Sequence, residues 1–225
     1  MGKRQDSRER IEGRIIELGR RQLATEGAAG LSLRAIARDL GMVSSAVYRY
    51  VGSRDELLTL LLVDGYTALA DAVEGAGAHG AWHERLAAMA DAARRWAVAQ
   101  PAGWALLYGS PVPGYHAPPA TTVGPGTRVV AALLSVIAAG IAAGEVPESG
   151  TIVPQSLSSD FDKLRAEFGF AGSDSVVAKS LLTWSTLVGA ISLEVFGQYG
   201  PDGFADPAGV FDAQVALVTA LLRQN

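Results

Sequence analysis

Ser32, Arg34, Ser44, Ser45, Tyr48, Arg49, Tyr50 and Arg54 crowd hydroxyls and guanidiniums into one short stretch of the chain. Such groups donate to phosphate oxygens and, from a helix seated in a groove, to the edges of bases. Ala46 lies among them and offers a methyl suited at most to the methyl of a thymine. Bond-making chemistry finds no comparable set. The sequence has no paired carboxylates at catalytic spacing, no His-Glu metal motif and no Gly-x-Ser-x-Gly elbow. With no cysteine there is no thiol nucleophile, disulfide or Cys-based zinc site. His79, His83 and His116 are the only histidines, too few for a His-rich metal site. The expectation is a binding protein with no catalytic residue, no metal and no cofactor.

Charge distribution supports a polyanion partner for one end only. Residues 1–60 carry 11 basic and 8 acidic side chains, whereas the other 165 residues carry 8 and 15. A basic head on an acidic body approaches a phosphate backbone by its head. The overall charge of -4 argues against a protein that coats DNA without selectivity. The 225 residues allow one or two domains. The charged start, Met1 to Arg10, lacks the apolar stretch of a secretory signal. The apolar runs Val129–Ala143 and Lys179–Glu194 fall short of the roughly 20 residues of a spanning helix. They read as buried helices of a cytoplasmic protein with no membrane partner.

The elements that must position the first cluster are helical. Ile11, Ile15 and Leu18 recur at helical spacing, and Gly27 suits a left-handed helix end. Ser32 caps a second helix with apolar positions Leu33, Ile36, Ala37 and Leu40, stopped by Gly41. A short third helix is predicted from about Ser44 to Val51, with Val47 and Val51 inward and Ser44, Ser45, Ala46, Tyr48 and Arg49 on the rest of its surface. Ser53-Arg54-Asp55-Glu56 forms a capping box in which Glu56 returns to the Ser53 N–H, opening a helix to about Glu74. Two short helices around a glycine turn make a helix-turn-helix candidate. Spacing alone also fits an ordinary helical hairpin.

Helices are predicted further on at Trp82–Gln100, Pro101–Tyr108, Thr127–Ala143, near Asp160–Phe168, from Ser173 or Asp174 to Phe196, and from Pro207 to Arg223. Gly109–Gly126, with five prolines, and Gly144–Ser156 read as loops. The fold class expected is all-α.

The run Ser32-Leu33-Arg34-Ala35-Ile36-Ala37-Arg38-Asp39-Leu40-Gly41-Met42, then Ala46-Val47-Tyr48-Arg49-Tyr50-Val51 and Ser53-Arg54-Asp55-Glu56-Leu57-Leu58, closely resembles the tetracycline-repressor (TetR) family over about residues 8–65. The resemblance implies an N-terminal three-helix DNA-binding domain at residues 8–68 and a helical ligand-sensing and dimerisation domain at 69–225. It implies that Ser32 caps the second helix and touches phosphate, and that Ser44, Ser45 and Ala46 open the base-facing helix. Tyr48 and Tyr50 would lie beside the backbone, and Arg54 would stand where a lysine grips phosphate at a helix N-terminus. The sequence departs from the family pattern at Val51, usually Phe, and at Val43, where Ser often caps the recognition helix. The expectation is that the cap shifts to Ser44.

In the body, Pro101–Tyr115 and Trp184–Gly189 resemble a C-terminal domain named for a Trp-His-Gly signature, with Val188 in place of the histidine. Trp104, Tyr108, Trp184 and Phe161 are the candidates to line an apolar effector pocket, against the simpler reading of core packing. Val188, Gly189, Ala190, Ile191 and Leu193 of one of the last two long helices, and Val210, Val215, Leu217, Val218, Leu221 and Leu222 of the other, suit a two-fold four-helix interface, against the simpler reading of burial inside the monomer. The combined expectation is a homodimeric repressor that binds a palindromic operator in double-stranded DNA and leaves it when a small apolar effector binds. A helical small-molecule enzyme and a TetR-like activator are the alternatives.

Overall fold

The structure, a computed structural model, describes residues 3–149 and 152–224. Met1 and Gly2 of the charged start, and Gly150 and Thr151 of the second predicted loop, lie outside the described residues. Among the described residues there is no strand. The helices are α1 (Lys3–Glu26), α2 (Leu33–Asp39), α3 (Ser44–Val47), α4 (Arg54–Ala76), α5 (Trp82–Ala99), α6 (Pro101–Tyr108), α7 (Pro119–Ala142), α8 (Ser158–Phe168), α9 (Asp174–Val195) and α10 (Pro207–Arg223). They form two compact units. One takes in the chain up to Ala68 together with Gln100–Gly126; the other takes in Leu69–Ala99 and the chain from Thr127 on.

In the first unit the predicted periodicity becomes a core of Ile15, Leu18, Ile36, Val47, Val51 and Leu57 from α1 to α4. Gly19 lets α1 close on α4: a Cβ there would lie 3.2 Å from a Leu61 methyl. Arg20 then reaches across to Asp64 in a two-pronged ion pair. Ala102 and Leu106 of α6, with Val112 and Tyr115 of the following segment, pack on the same core. The sequence reading gave everything after residue 68 to the body; residues 100–126 join the first unit because their apolar side chains lie against its bundle.

The prolines of residues 109–126 do not keep that whole stretch extended. Helix α7 begins at Pro119 and contains Pro125. Pro119 stands in the first turn, where its missing N–H costs nothing, and the Pro118 carbonyl accepts from the N–H groups of Thr121 and Thr122 and from both their hydroxyls. Pro125 sits nearly two turns further in, at the cost of one backbone bond.

In the second unit α5, α9 and α10 pack on one another. Leu86, Ile191, Phe211, Val215 and Leu222 fill the space between them. Arg94 of α5 and Glu194 of α9 form a bidentate pair with only 14% and 16% of their side chains exposed. Glu145 accepts from the Trp82 indole N–H and from Arg223, whose guanidinium also lies 5.2 Å from the Trp82 ring centre. Those two donors hold the Glu145 carboxyl below its usual range. α7 and α9 are long and apolar enough, by length and composition, to cross a bilayer. Here they are core helices, burying Val129, Leu133 and Ile137 from one and Val176, Leu187 and Ile191 from the other.

Candidate nucleic-acid interface

Ser32 caps α2 as its residue type demands, its hydroxyl accepting from the Ala35 N–H at 3.3 Å. Its backbone is clamped by Gln22 of α1. The buried amide accepts from the Ser32 N–H at 2.9 Å and reaches the Ser32 carbonyl at 3.5 Å. Sequence reading missed Gln22, because a glutamine on a helix face shows no signal until the chain folds back on it. Gly41, at φ 66°, ends α2, and the Met42 N–H returns to the Ala37 carbonyl at 2.9 Å.

Helix α3 is shorter than predicted. It closes at Val47, and Tyr48–Tyr50 continue as a turn whose Arg49 and Tyr50 N–H groups bond three residues back. The cap does not shift to Ser44. Val43 is the N-cap, makes no side-chain bond to the helix and is 71% exposed. Ser44 therefore keeps its hydroxyl, and it and Ser45 are exposed. Ala46 is buried beside Val47 in the core, so its methyl is not offered to a base. This corrects its placement on the reading surface: the turn of α3 carries it inward with Val47.

Arg34, Arg49 and Tyr48 are exposed, and neither arginine is paired with a carboxylate among the described residues. Arg38, also exposed, touches only its neighbour Asp39, at 3.9 Å. Tyr50 is partly buried, with the Arg8 guanidinium of α1 5.8 Å from its ring centre. Arg54 is more committed than expected: it donates to the Ala28 carbonyl at 2.7 Å, tying the start of α4 to the turn before α2. The capping box forms with one change. Ser53 accepts from the Glu56 N–H at 3.0 Å, and Glu56 reaches the N–H of Gly52, rather than Ser53, at 2.6 Å.

Unpaired guanidiniums and free hydroxyls thus stand on a braced pair of short helices. Residues 15–61 match the family model described as "Bacterial regulatory proteins, tetR family", and residues 86–218 match "Tetracyclin repressor-like, C-terminal domain". The chain belongs to the TetR family. HTH-type transcriptional regulators of Mycobacterium tuberculosis and Mycobacterium bovis are each 62% identical to it over 228 residues, covering 100% of this chain and 97% of theirs. The crystal structure of regulatory protein SCO4313 is similar with a TM-score of 0.79 and 33% identity, covering 96% of this chain and 98% of that one. As a TetR-family member this protein is a helix-turn-helix transcriptional regulator and not an enzyme.

The four candidate effector contacts divide between the two units of this TetR-family chain. Trp104 is fully buried in the first, its ring 4.3 Å from that of Tyr108, and Tyr66 meets Tyr108 edge-on at 6.4 Å. Burial, and secondarily Tyr66, push the Tyr108 hydroxyl well above its usual range. In the second unit Trp184 lines a crevice of about 20 Å³ among residues of α7, α8 and α9, room for about one water. Phe161 is buried in α8 and does not line that crevice.

Proposed function

We propose that this regulator is a homodimeric cytoplasmic repressor that binds an inverted-repeat operator and is released by a small effector. The observation that carries the reading is an apolar stripe left uncovered on the second unit. Leu182, Ser185, Gly189, Leu193 and Phe196 recur at helical spacing along α9, with Leu182, Leu193 and Phe196 50%, 43% and 39% exposed. Leu217 of α10 is 69% exposed. Exposed leucines on both helices, with a glycine between two of them on α9, suit close helix packing against a second copy, and an isologous contact needs the same stripe on both partners. Two copies would present two α3 helices to half-sites about 34–36 Å apart or a multiple of that.

The reading surface of each copy consists of Arg34, Ser44, Ser45, Tyr48 and Arg49, with Ser32, Tyr50 and Arg54 beside the phosphates. Sedimentation of the full chain, with selection of bound duplexes from a random pool, tests the reading. The expected results are a dimer and an inverted repeat. A monomer, or selected duplexes without two-fold symmetry, overturns it. Leu193→Glu with Leu217→Glu is expected to give a folded monomer with weakened operator binding. Cells lacking the protein are expected to raise transcription from promoters that carry the site; a fall would make it an activator.

A further inference from the structure

We propose that a cleft in the second unit, walled by the end of α4, by α5 and by α7, binds a small amphipathic monoanion, and that the anion works by drawing Arg128 away from the carboxylates of α4. This rests on the regulator reading above and gives its effector a chemical class. The cleft measures about 390 Å³, within the range of small-molecule sites. Met89, Val136, Ala131 and Ala132 give it an apolar wall, and Arg85, Arg128 and Ser135 give it donors.

Arg85 is the unusual residue. The second unit contains six arginines. Arg94, Arg95, Arg128, Arg165 and Arg223 each meet a carboxylate. Among the described residues Arg85 meets none; its one bond is from Nε to the Gly77 carbonyl at 2.7 Å. It is partly buried and lines the cleft, with no carboxylate in ion-pair contact. Arg128 faces the same cleft but its Nε and Nη2 are engaged, by Glu74 at 3.0 and 2.7 Å and by Asp71 at 2.7 Å.

These two guanidiniums define the ligand. A carboxylate accepts the fork of N–H donors that Arg85 still has to offer, and it competes with Glu74 for Arg128. A neutral molecule leaves Arg85 unmatched, a cation is repelled, and a dianion meets Glu74, which also lines the cleft. The apolar wall and the volume set a tail about the size of octanoate or benzoate.

Asp71 and Glu74 sit on α4, a single helix that starts at Arg54 directly after the recognition turn. Freeing them from Arg128 removes a tie between α4 and α7. The anion can change operator affinity only by as much as it prefers the untied state.

Calorimetric titration of the full chain with octanoate and benzoate, against octanamide and benzamide, tests the site. The carboxylates are expected to bind saturably and at least about tenfold more tightly than the amides, the worth of a charged hydrogen-bonded pair. Arg85→Gln is expected to remove that advantage while binding the selected operator like the wild type. Ala132→Leu fills the cleft without touching a charge and is expected to block both carboxylates. Absence of saturable binding, equal binding of acid and amide, or an unchanged Arg85→Gln overturns the site. Carboxylate binding that leaves operator affinity unchanged overturns the coupling. If the wild type ignores every duplex, the regulator reading fails, while the titration still decides the cleft.

Discussion

Arginine does opposite work at the candidate interface of the first unit and between the packed helices of the second. In the first, Arg34 and Arg49 stand exposed on or just after short helices, with no carboxylate among the described residues. In the second, Arg94 and Arg165 are locked to acids on neighbouring helices, and Arg128 holds two acids at once. A guanidinium already satisfied within the protein has little left for a phosphate. The surfaces differ in the complementary way. Beside Val43, the α2–α3 surface shows water hydroxyls and charge, whereas the second unit shows Leu182, Leu193, Phe196 and Leu217. The contrast teaches that composition alone does not assign a basic residue to nucleic acid; its unspent donors do.

The contrast can be broken or sharpened by substitution, most severely in the first core. Ile36→Ala is expected to cost about 2–5 kcal/mol, because the side chain is fully buried. Hydrogen exchange should speed up through α1–α3 while the amides of α9 and α10 keep their protection. Equal loosening of both would show that the units do not unfold separately.

Arg94→Leu comes next. It leaves Glu194 without its guanidinium and is expected to lower stability by about 1–3 kcal/mol, less than a fully buried pair would. Arg34→Leu is its counterpart, expected to stay within about 0.5 kcal/mol of wild type in urea unfolding while weakening operator binding. If Arg34→Leu destabilised the fold as much as Arg94→Leu does, the division of labour would be wrong.

Tyr48→Ala is expected to weaken the operator complex about tenfold with the dimer intact, measured by titration at fixed salt. Arg54→Ala should act on both properties. The lost bond to the Ala28 carbonyl costs about 0.5–1.5 kcal/mol. A lost phosphate contact should flatten the salt dependence by about one unit. A stability loss with an unchanged salt slope would assign Arg54 to bracing alone.

The smallest effect is in pH. Arg165 and Ser158 hold the Asp174 carboxyl below its usual range. Its folded pKa is thus lower than its unfolded one. Its contribution is present above the ordinary carboxylate range, near pH 4, and is lost as pH falls through the depressed value. Asp174→Asn should flatten acid unfolding slightly in that window, and a steeper acid limb would reverse the sign.

The sequence by itself determined most of the caps and stops that act within about one helical turn. Ser32 and Ser53 had to cap, Gly41 had to stop α2, and Asp206 with Pro207 had to open α10, because each signal and its target lie within four residues. The exposure of Ser44, Ser45, Tyr48 and Arg49 was legible for the same reason. Packing decided the rest. The turn of α3 buried Ala46, and a fold over ten residues brought Gln22 to Ser32. Arg54 met a carbonyl 26 residues away and Arg94 a carboxylate 100 residues away, while Arg85 met only a carbonyl eight residues back. Whether a charge is spent or available is a property of its neighbours in space, and only the folded chain chooses them.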